Sequence, residues 1–369
     1  MTGPIVEFFP APRIRRLLPV PPASTPPELG ADWPVRSLHL NESPFAPAPE
    51  VVAAMQQAAA GLNRYPDHDG LQLVAALAAR LGVASDRIVI GAGTNELLFA
   101  SGEITLDPGD EAIAPDPGFV TYAKIVAMRD ATFVGVPVRA DGIVDVAATV
   151  AAVTPRTRLV YVATPNNPTG GMLEQAHVEK LVAELPDHVL LHYDEAYYEF
   201  GRHAGGPDGL ALLERRKAPW IATRSFSKAY GLAGARIGYG IASTAAVAEA
   251  YRKIRINFSV NAVALAGALV ALDQTAHTEA LLEHTAQERD RLDAALTRLG
   301  FRTFPSAANF ITAVAPSPAR ELTSALRELN VFVLPMPWRD SPGALRITIG
   351  TREDNDAVIA GLSRAMAAR

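Results

Sequence analysis

From about residue 50 to residue 255, short apolar runs alternate with stretches of helical period. The runs RIVI (87–90), EAIA (111–114), RLVYVA (158–163), HVLLHYD (188–194), WIATR (220–224) and RIGYGIA (236–242) read as strands. Several are apolar at successive positions, as expected of strands covered on both faces in a parallel sheet. Among the intervening segments, 71–81 places Leu71, Val74, Leu77 and Leu81 on one helical face. Such alternation predicts an α/β layered domain. Beyond residue 260 the texture changes. A long helix over 276–299 ends at Gly300, a residue suited to a helix C-terminus. Strand-like pieces follow at 301–304, 309–314, 331–334 and 344–349. Thr351 and Asp354 in TRED have capping-box spacing for a final helix. This part reads as a smaller α+β domain. The proline-rich residues 1–36 read as an extended arm that joins it. The expected units are thus 1–36, 37–255 and 256–369, with no internal repeat.

The length of 369 residues agrees with more than one core. Acidic residues outnumber basic ones 39 to 34, for a net charge of −5, and no basic block stands out. That argues against nucleic acid as a partner. The chain has no cysteine, which excludes disulfides and thiolate chemistry and fits a reducing cytoplasm. Proline and arginine interrupt the apolar residues of the N-terminus, unlike a signal peptide. The most apolar later window, VNAVALAGALVAL (260–272), is too short to span a bilayer comfortably and contains Asn261. It reads as a buried helix, and no membrane partner is expected.

Candidate chemistry centres on SFSKAYGLAGARIGYG (225–240). Lys228 follows a predicted strand, at the sheet edge where ligands collect in open α/β folds. Ser225 and Ser227 place hydroxyls beside it, and Arg236 offers a planar fork suited to phosphate. An amine next to a phosphate cradle suggests a phosphorylated aldehyde. GAGTNELL (91–98) follows a strand and opens a helix whose N-terminal amides can bind phosphate. TPNNPTG (164–170) is a rigid turn after an apolar strand, and HYDEAYYEF (192–200) sets Asp194 at a strand end, where a buried carboxylate needs a cationic partner. His192 and Asp194 share a strand face, which leaves a metal site as a rival reading, but no further histidine or carboxylate cluster supports one. No metal is expected, and His192 reads as a packed residue.

Taken in this order, the motifs resemble those of the fold-type I pyridoxal-phosphate aminotransferases, and SKAYGLAGARIGY resembles the histidinol-phosphate aminotransferase branch. The resemblance covers nearly the whole chain. It implies a mainly parallel seven-stranded sheet between helices plus a smaller α+β domain, and pyridoxal phosphate as cofactor, bound to Lys228 as a Schiff base. It further implies that Gly93, Thr94, Asn95, Ser225, Ser227 and Arg236 hold the cofactor phosphate. Phe119 in PDPGFVTY would stack on the ring, where the family mostly has tyrosine. Asn167 and Tyr197 would bond the phenolic oxygen, and Asp194 the ring nitrogen. Tyr65 in NRYPD matches a tyrosine that reaches the partner's cofactor, implying a homodimer. On the substrate side the resemblance places Arg346 in ALRITIGT as the clamp for an anionic group, with Asn41 and Glu42 in LHLNESPFAP and Asn309 in SAANF nearby. It implies amino-acid and keto-acid substrates, with glutamate and 2-oxoglutarate as donor pair. Lyase, decarboxylase or oxidase chemistry on the same scaffold is an alternative, and a non-catalytic cofactor-binding regulator a more distant one.

One departure bears on the substrate. The branch typically carries a second arginine in a segment reading roughly GIxVR. Here the segment is NVFVLPMPWRD (330–340), with Leu334 in that place. Arg339, Arg13, Arg15 or Arg16 are candidate replacements. The family's YNVN element reads NFSVN (257–261). An arginine replaced by leucine favours an apolar or aromatic side chain over a phosphate.

Overall fold

The computed structural model describes residues 11–15, 17, 35–339 and 341–367. In chain order the strands are β1 (Arg36–Ser37), β2 (Ile88–Gly91), β3 (Glu111–Asp116), β4 (Thr132–Pro137), β5 (Thr157–Ala163), β6 (Leu190–Glu195), β7 (Trp220–Ser225), β8 (Gly238–Ala242), β9 (Arg302–Thr303), β10 (Phe310–Val314), β11 (Val331–Phe332), β12 (Leu334–Met336) and β13 (Ala344–Thr348). Seven of them form one sheet in the order β2-β8-β7-β6-β5-β3-β4. All its neighbours run parallel except β8, which is antiparallel to both β2 and β7.

The period-2 geometry of a strand explains why these runs are apolar at successive positions. Val160, Val162, Leu191, Tyr193 and Ala222 enter one core, shared with helices Pro49–Ala59, Leu71–Leu81, Gln175–Glu184 and Ala262–Ala271. Leu159, Tyr161, Leu190 and Ile221 enter the other, beneath helices Thr94–Thr105, Thr121–Met128 and Ala245–Ile254. Four strands, in the order β12-β13-β10-β9, make a second, antiparallel sheet. Helices Thr275–Arg298, Ala319–Arg327 and Arg352–Ala367 contribute to its core.

Several expectations change in detail. The helix over 71–81 forms with those limits, but its buried positions are Leu73, Val74, Leu77 and Ala78, whereas Leu71 is 65% exposed. Val74, Leu77 and the partly buried Leu81 of the expected face do pack on the core, where the helix meets β2 and helix Ala262–Ala271. The strand read at 236–242 begins only at Gly238, since Arg236 has φ +58° and cannot extend a ladder. The segment 331–334 divides into β11, paired with β1, and β12, paired with β13. β4 was not anticipated; it is an edge strand, mostly exposed, so its sequence TFVGVP lacks the apolar continuity of the central strands. Helix Ala262–Ala271 packs on helix Pro49–Ala59 in the larger sheet's core. Leu38, by contrast, is buried in the core of the four-stranded sheet. At Thr351 the predicted box is present: Asp354 N–H donates to Thr351 Oγ1 at 3.2 Å and Thr351 N–H to Asp354 Oδ2 at 3.1 Å. The expected arm, 1–36, falls largely outside the described residues. Among these residues no helix is long and apolar enough to cross a membrane.

Candidate active site

A cavity of about 400 Å³ opens at the C-terminal ends of β5, β6 and β7, the edge where parallel sheets place ligands. Thr94, Asn95, Phe119, Asn167, Asp194, Tyr197, Ser225, Ser227, Lys228, Arg236, Asn41 and Arg346 all line it. Glu42 lines it too; of the anticipated residues, Gly93, Tyr65 and Asn309 do not. Gly93 caps helix Thr94–Thr105 with φ +75°, and a Cβ there would collide with the Arg236 guanidinium. It is glycine for conformation and for that close approach. Tyr65 is 80% exposed and stacks on Phe258 at 4.5 Å, outside its own chain's cavity.

Lys228 extends into the cavity on the turn after β7. Its Nζ donates to the carbonyls of Asn41 at 2.8 Å and Leu40 at 3.1 Å. Burial, aided by the Arg346 and Arg236 charges, lowers the amine's pKa to about 8. A much larger neutral fraction is therefore available at neutral pH than a solvated lysine offers. Asn41, at φ +55°, takes the left-handed conformation that asparagine tolerates. Its side-chain amide donates to the Tyr197 hydroxyl at 2.8 Å, and Asn309 donates to its carbonyl at 3.1 Å.

Asp194 forms the floor. Its Oδ2 accepts from the Tyr122 hydroxyl at 2.8 Å and its Oδ1 from the Ala196 N–H at 3.0 Å. These donors do not offset burial, which raises the carboxyl to about 6. The folded chain therefore binds this proton more tightly than the unfolded chain, whose value is 3.8. Asp194's contribution to stability is fully present below pH 3.8 and lost as pH rises through 6. About 3 kcal/mol is at stake. In the cofactor-free protein, Asp194→Asn is expected to flatten the fall in stability between pH 4 and 7, measured by urea unfolding. An unchanged pH profile would contradict this.

Arg346 lies on β13 with its Nη1 donating to Asn167 Oδ1 and its Nη2 to the His39 carbonyl, both at 2.7 Å. Its Nε is buried without a partner. Arg236 Nη1 reaches Ser227 Oγ at 3.3 Å, close to the N-terminus of helix Thr94–Thr105. The cavity thus combines an anion-seeking end, a buried carboxylate with no cation, a partly neutral amine and a second guanidinium with a spare N–H.

Tyr122 was not singled out in the sequence. Its only signal was three-residue spacing from Phe119, which sets one aromatic just before helix Thr121–Met128 and the other in its first turn; their rings meet edge-on at 5.8 Å. His192 is fully packed, with Nδ1 2.6 Å from Ser101 Oγ and Nε2 3.0 Å from Thr223 Oγ1, so both ring nitrogens are occupied. Arg339 does not replace the missing substrate arginine: it pairs with Asp116 at 2.7 Å beside another cavity. Arg13 and Arg15, on the short helix Pro12–Arg15, do not line the site, and Arg16 lies outside the described residues.

Fold and cavity together define a fold-type I transferase. The aminotransferase class I and II family matches residues 34–362, and the chain belongs to that family; it is an aminotransferase. It is 41% identical to an aromatic amino acid aminotransferase of Rhodococcus opacus, over 87% of each chain. It is 37% identical to a histidinol-phosphate aminotransferase of Moorella thermoacetica, over 90% of this chain and 86% of that one. Among solved structures, the Sinorhizobium meliloti histidinol-phosphate aminotransferase in complex with pyridoxal-5'-phosphate superposes with a TM-score of 0.88, at 30% identity and 97% coverage of both chains.

Proposed function

We propose that this aminotransferase uses pyridoxal phosphate and acts on an amino acid with an aromatic or large apolar side chain. The cavity suits the cofactor's charges: a phosphate dianion for Arg236, Ser225, Ser227, Thr94, Asn95 and the helix N-terminus, and a protonated ring nitrogen for the cation-poor Asp194. When bound, the cofactor supplies a reactive aldehyde and a ring that withdraws electrons from the substrate's α-carbon. Phe119 would offer an aromatic face to that ring, and Asn167 and Tyr197 would hold its phenolic oxygen by donating hydrogen bonds.

Lys228 supplies the amine nucleophile and then moves the α-proton, accepting it at Nζ and returning it. Its lowered pKa keeps a neutral fraction ready for the first task. Arg346 receives the substrate carboxylate on its fork, a planar match that lysine lacks. We also propose a homodimer. Tyr65, Leu62, Ile256 and Phe258 are exposed apolar groups that a second copy would cover, carrying Tyr65 to the partner's site. In this reading the chain is a cytoplasmic enzyme of two domains, with the boundary near Thr275 instead of residue 256, because helix Ala262–Ala271 packs with the larger sheet.

The substrate assignment rests on one observation. Leu334 stands directly opposite Arg346 in the β12–β13 ladder, so the position of the branch's second arginine carries apolar surface. With Arg339 tied to Asp116, a phosphate-bearing side chain finds no second cation there among the described residues. The relatives named as aromatic amino acid aminotransferases support the same reading. Histidinol phosphate is the competing substrate, favoured by the relatives of that name. The test is a panel of phenylpyruvate, 4-hydroxyphenylpyruvate and imidazole-acetol phosphate with glutamate as donor. The aromatic keto acids should give kcat/KM at least tenfold above the phosphate. Leu334→Arg should narrow or reverse the ratio. A wild-type preference for the phosphate would refute the assignment.

A further inference from the structure

On the side of the large sheet facing away from the cavity, β6 and β7 bury an ion pair. Their parallel register sets Glu195 beside Arg224 and Asp194 beside Thr223. Successive strand residues point to opposite faces. Asp194 and Ser225 therefore face the cavity, while Glu195 and Arg224 lie behind it. Arg224 is 1% exposed, and its Nε donates to Glu195 Oε2 at 2.8 Å. Its guanidinium carbon lies 3.4 Å from the centre of the Tyr198 ring. Nearby Glu199 and Tyr230 lie within electrostatic reach of Arg224. Arg224 Nη2 and Glu199 Oε2 are both buried without a partner.

Burying such a cluster costs desolvation that apolar side chains of similar volume would avoid. Stability alone does not explain its presence. Its place in the chain supplies a reason. Glu195 adjoins Asp194, Tyr198 adjoins Tyr197, Arg224 adjoins Ser225, and Tyr230 lies two residues after Lys228. One buried guanidinium, adjoining the cradle in sequence, thus bonds the segment that delivers the floor and stacks on the segment that delivers the wall of the cavity.

We propose that Arg224, anchored by Glu195, is a positioning residue that holds the ends of β6 and β7 in the register required for cofactor binding and proton transfer. It touches neither substrate nor cofactor. Its charge and directional N–H bonds fix relative strand position, which an apolar contact of equal volume would not.

The inference rests on the reading of Lys228 as the cofactor-bound amine, so the wild-type holoenzyme is measured first. Failure to show a visible band with added pyridoxal phosphate would refute that reading. With the band present, three variants test the inference: Arg224→Met, Arg224→Lys and the double variant Glu195→Leu with Arg224→Met. The readouts are melting temperature without cofactor, the dissociation constant for pyridoxal phosphate, the pH midpoint of the visible band, and kcat separately from KM. The double variant removes both charges of the pair, and the neighbouring Glu199, whose carboxyl burial raises to about 7, can take up a proton, so the variant should melt close to wild type. It should still bind cofactor at least tenfold more weakly, shift the band midpoint measurably and lose at least tenfold in kcat, with KM changed less than threefold. Arg224→Lys should recover part of the midpoint shift. A double variant with wild-type stability, cofactor affinity, midpoint and kcat would overturn the proposal by showing the pair to be replaceable packing. If Arg224→Met alone fails to fold, the double variant and Arg224→Lys carry the test.

Discussion

Lys228→Ala is expected to abolish transamination, lowering turnover by more than about 10⁴-fold. A single general acid–base group contributes about 10²–10⁴, and this amine also supplies the nucleophile. The variant should fold, because among the described residues Lys228 bonds only two backbone carbonyls, Asn41 and Leu40, which water can satisfy from the cavity. Phosphate-end contacts through Arg236, Ser225 and Ser227 remain, so cofactor binding should persist without the visible band of the lysine-linked form. Keto-acid release from glutamate and an absorbance spectrum of the same sample measure both effects. Wild-type turnover in this variant would remove the basis of the mechanism.

Asp194→Asn is expected to lower kcat by about 10³-fold while KM changes less than threefold. The substitution preserves shape and removes the negative charge, keeping one carbonyl oxygen as acceptor where Tyr122 and the Ala196 N–H both donate in the wild type. A preorganised charge in a water-poor site is worth about 10²–10³ per interaction, and here it also sets the protonation of the ring that withdraws electrons. The ground-state clamp, Arg346 with Asn167, lies on other elements, so substrate binding should be spared. Asp194→Glu keeps the charge and should recover part of the rate. An Asp194→Asn enzyme within threefold of wild-type kcat would show that the carboxylate has no role in the chemistry. Stability should move the opposite way: the cofactor-free variant gains at pH 7, because it no longer buries an uncompensated charge.

Much of the fold was legible because its signals are local. The central strands announce themselves through unbroken apolar runs, and the last helix through the Thr351–Asp354 box. β4 escaped notice because an edge strand needs no second apolar face. Helix 71–81 keeps Val74, Leu77 and Leu81 of its expected face against the core, but Leu71 fits the period and is exposed, because what lies above the first turn decides whether it is covered. The boundary proposed near Thr275 in place of residue 256 rests on the same kind of long-range packing. Nothing within 260–272 says which core that apolar helix enters.

Most cavity residues could be named beforehand because each sits in a short motif with its own turn chemistry: GAGTNELL, TPNNPTG, HYDEAYYEF and SFSKAYGLAGAR. The contacts that tune them could not. Tyr122 meets Asp194 across 72 positions, and Lys228 meets the Asn41 carbonyl across 187. Arg339, plausible as an anion ligand in one dimension, turns to Asp116 instead.

The amino-acid sequence by itself determined the strand and helix alternation, the reactive amine and its motif-borne neighbours, and the leucine that takes the place of a second cation. Tertiary structure alone decided the lowered basicity of Lys228, the raised pKa of Asp194 and the buried pairing of Arg224 with Glu195. The reason is physical: identity and local conformation are properties of neighbouring residues, whereas burial and charge proximity exist only once distant segments are packed together.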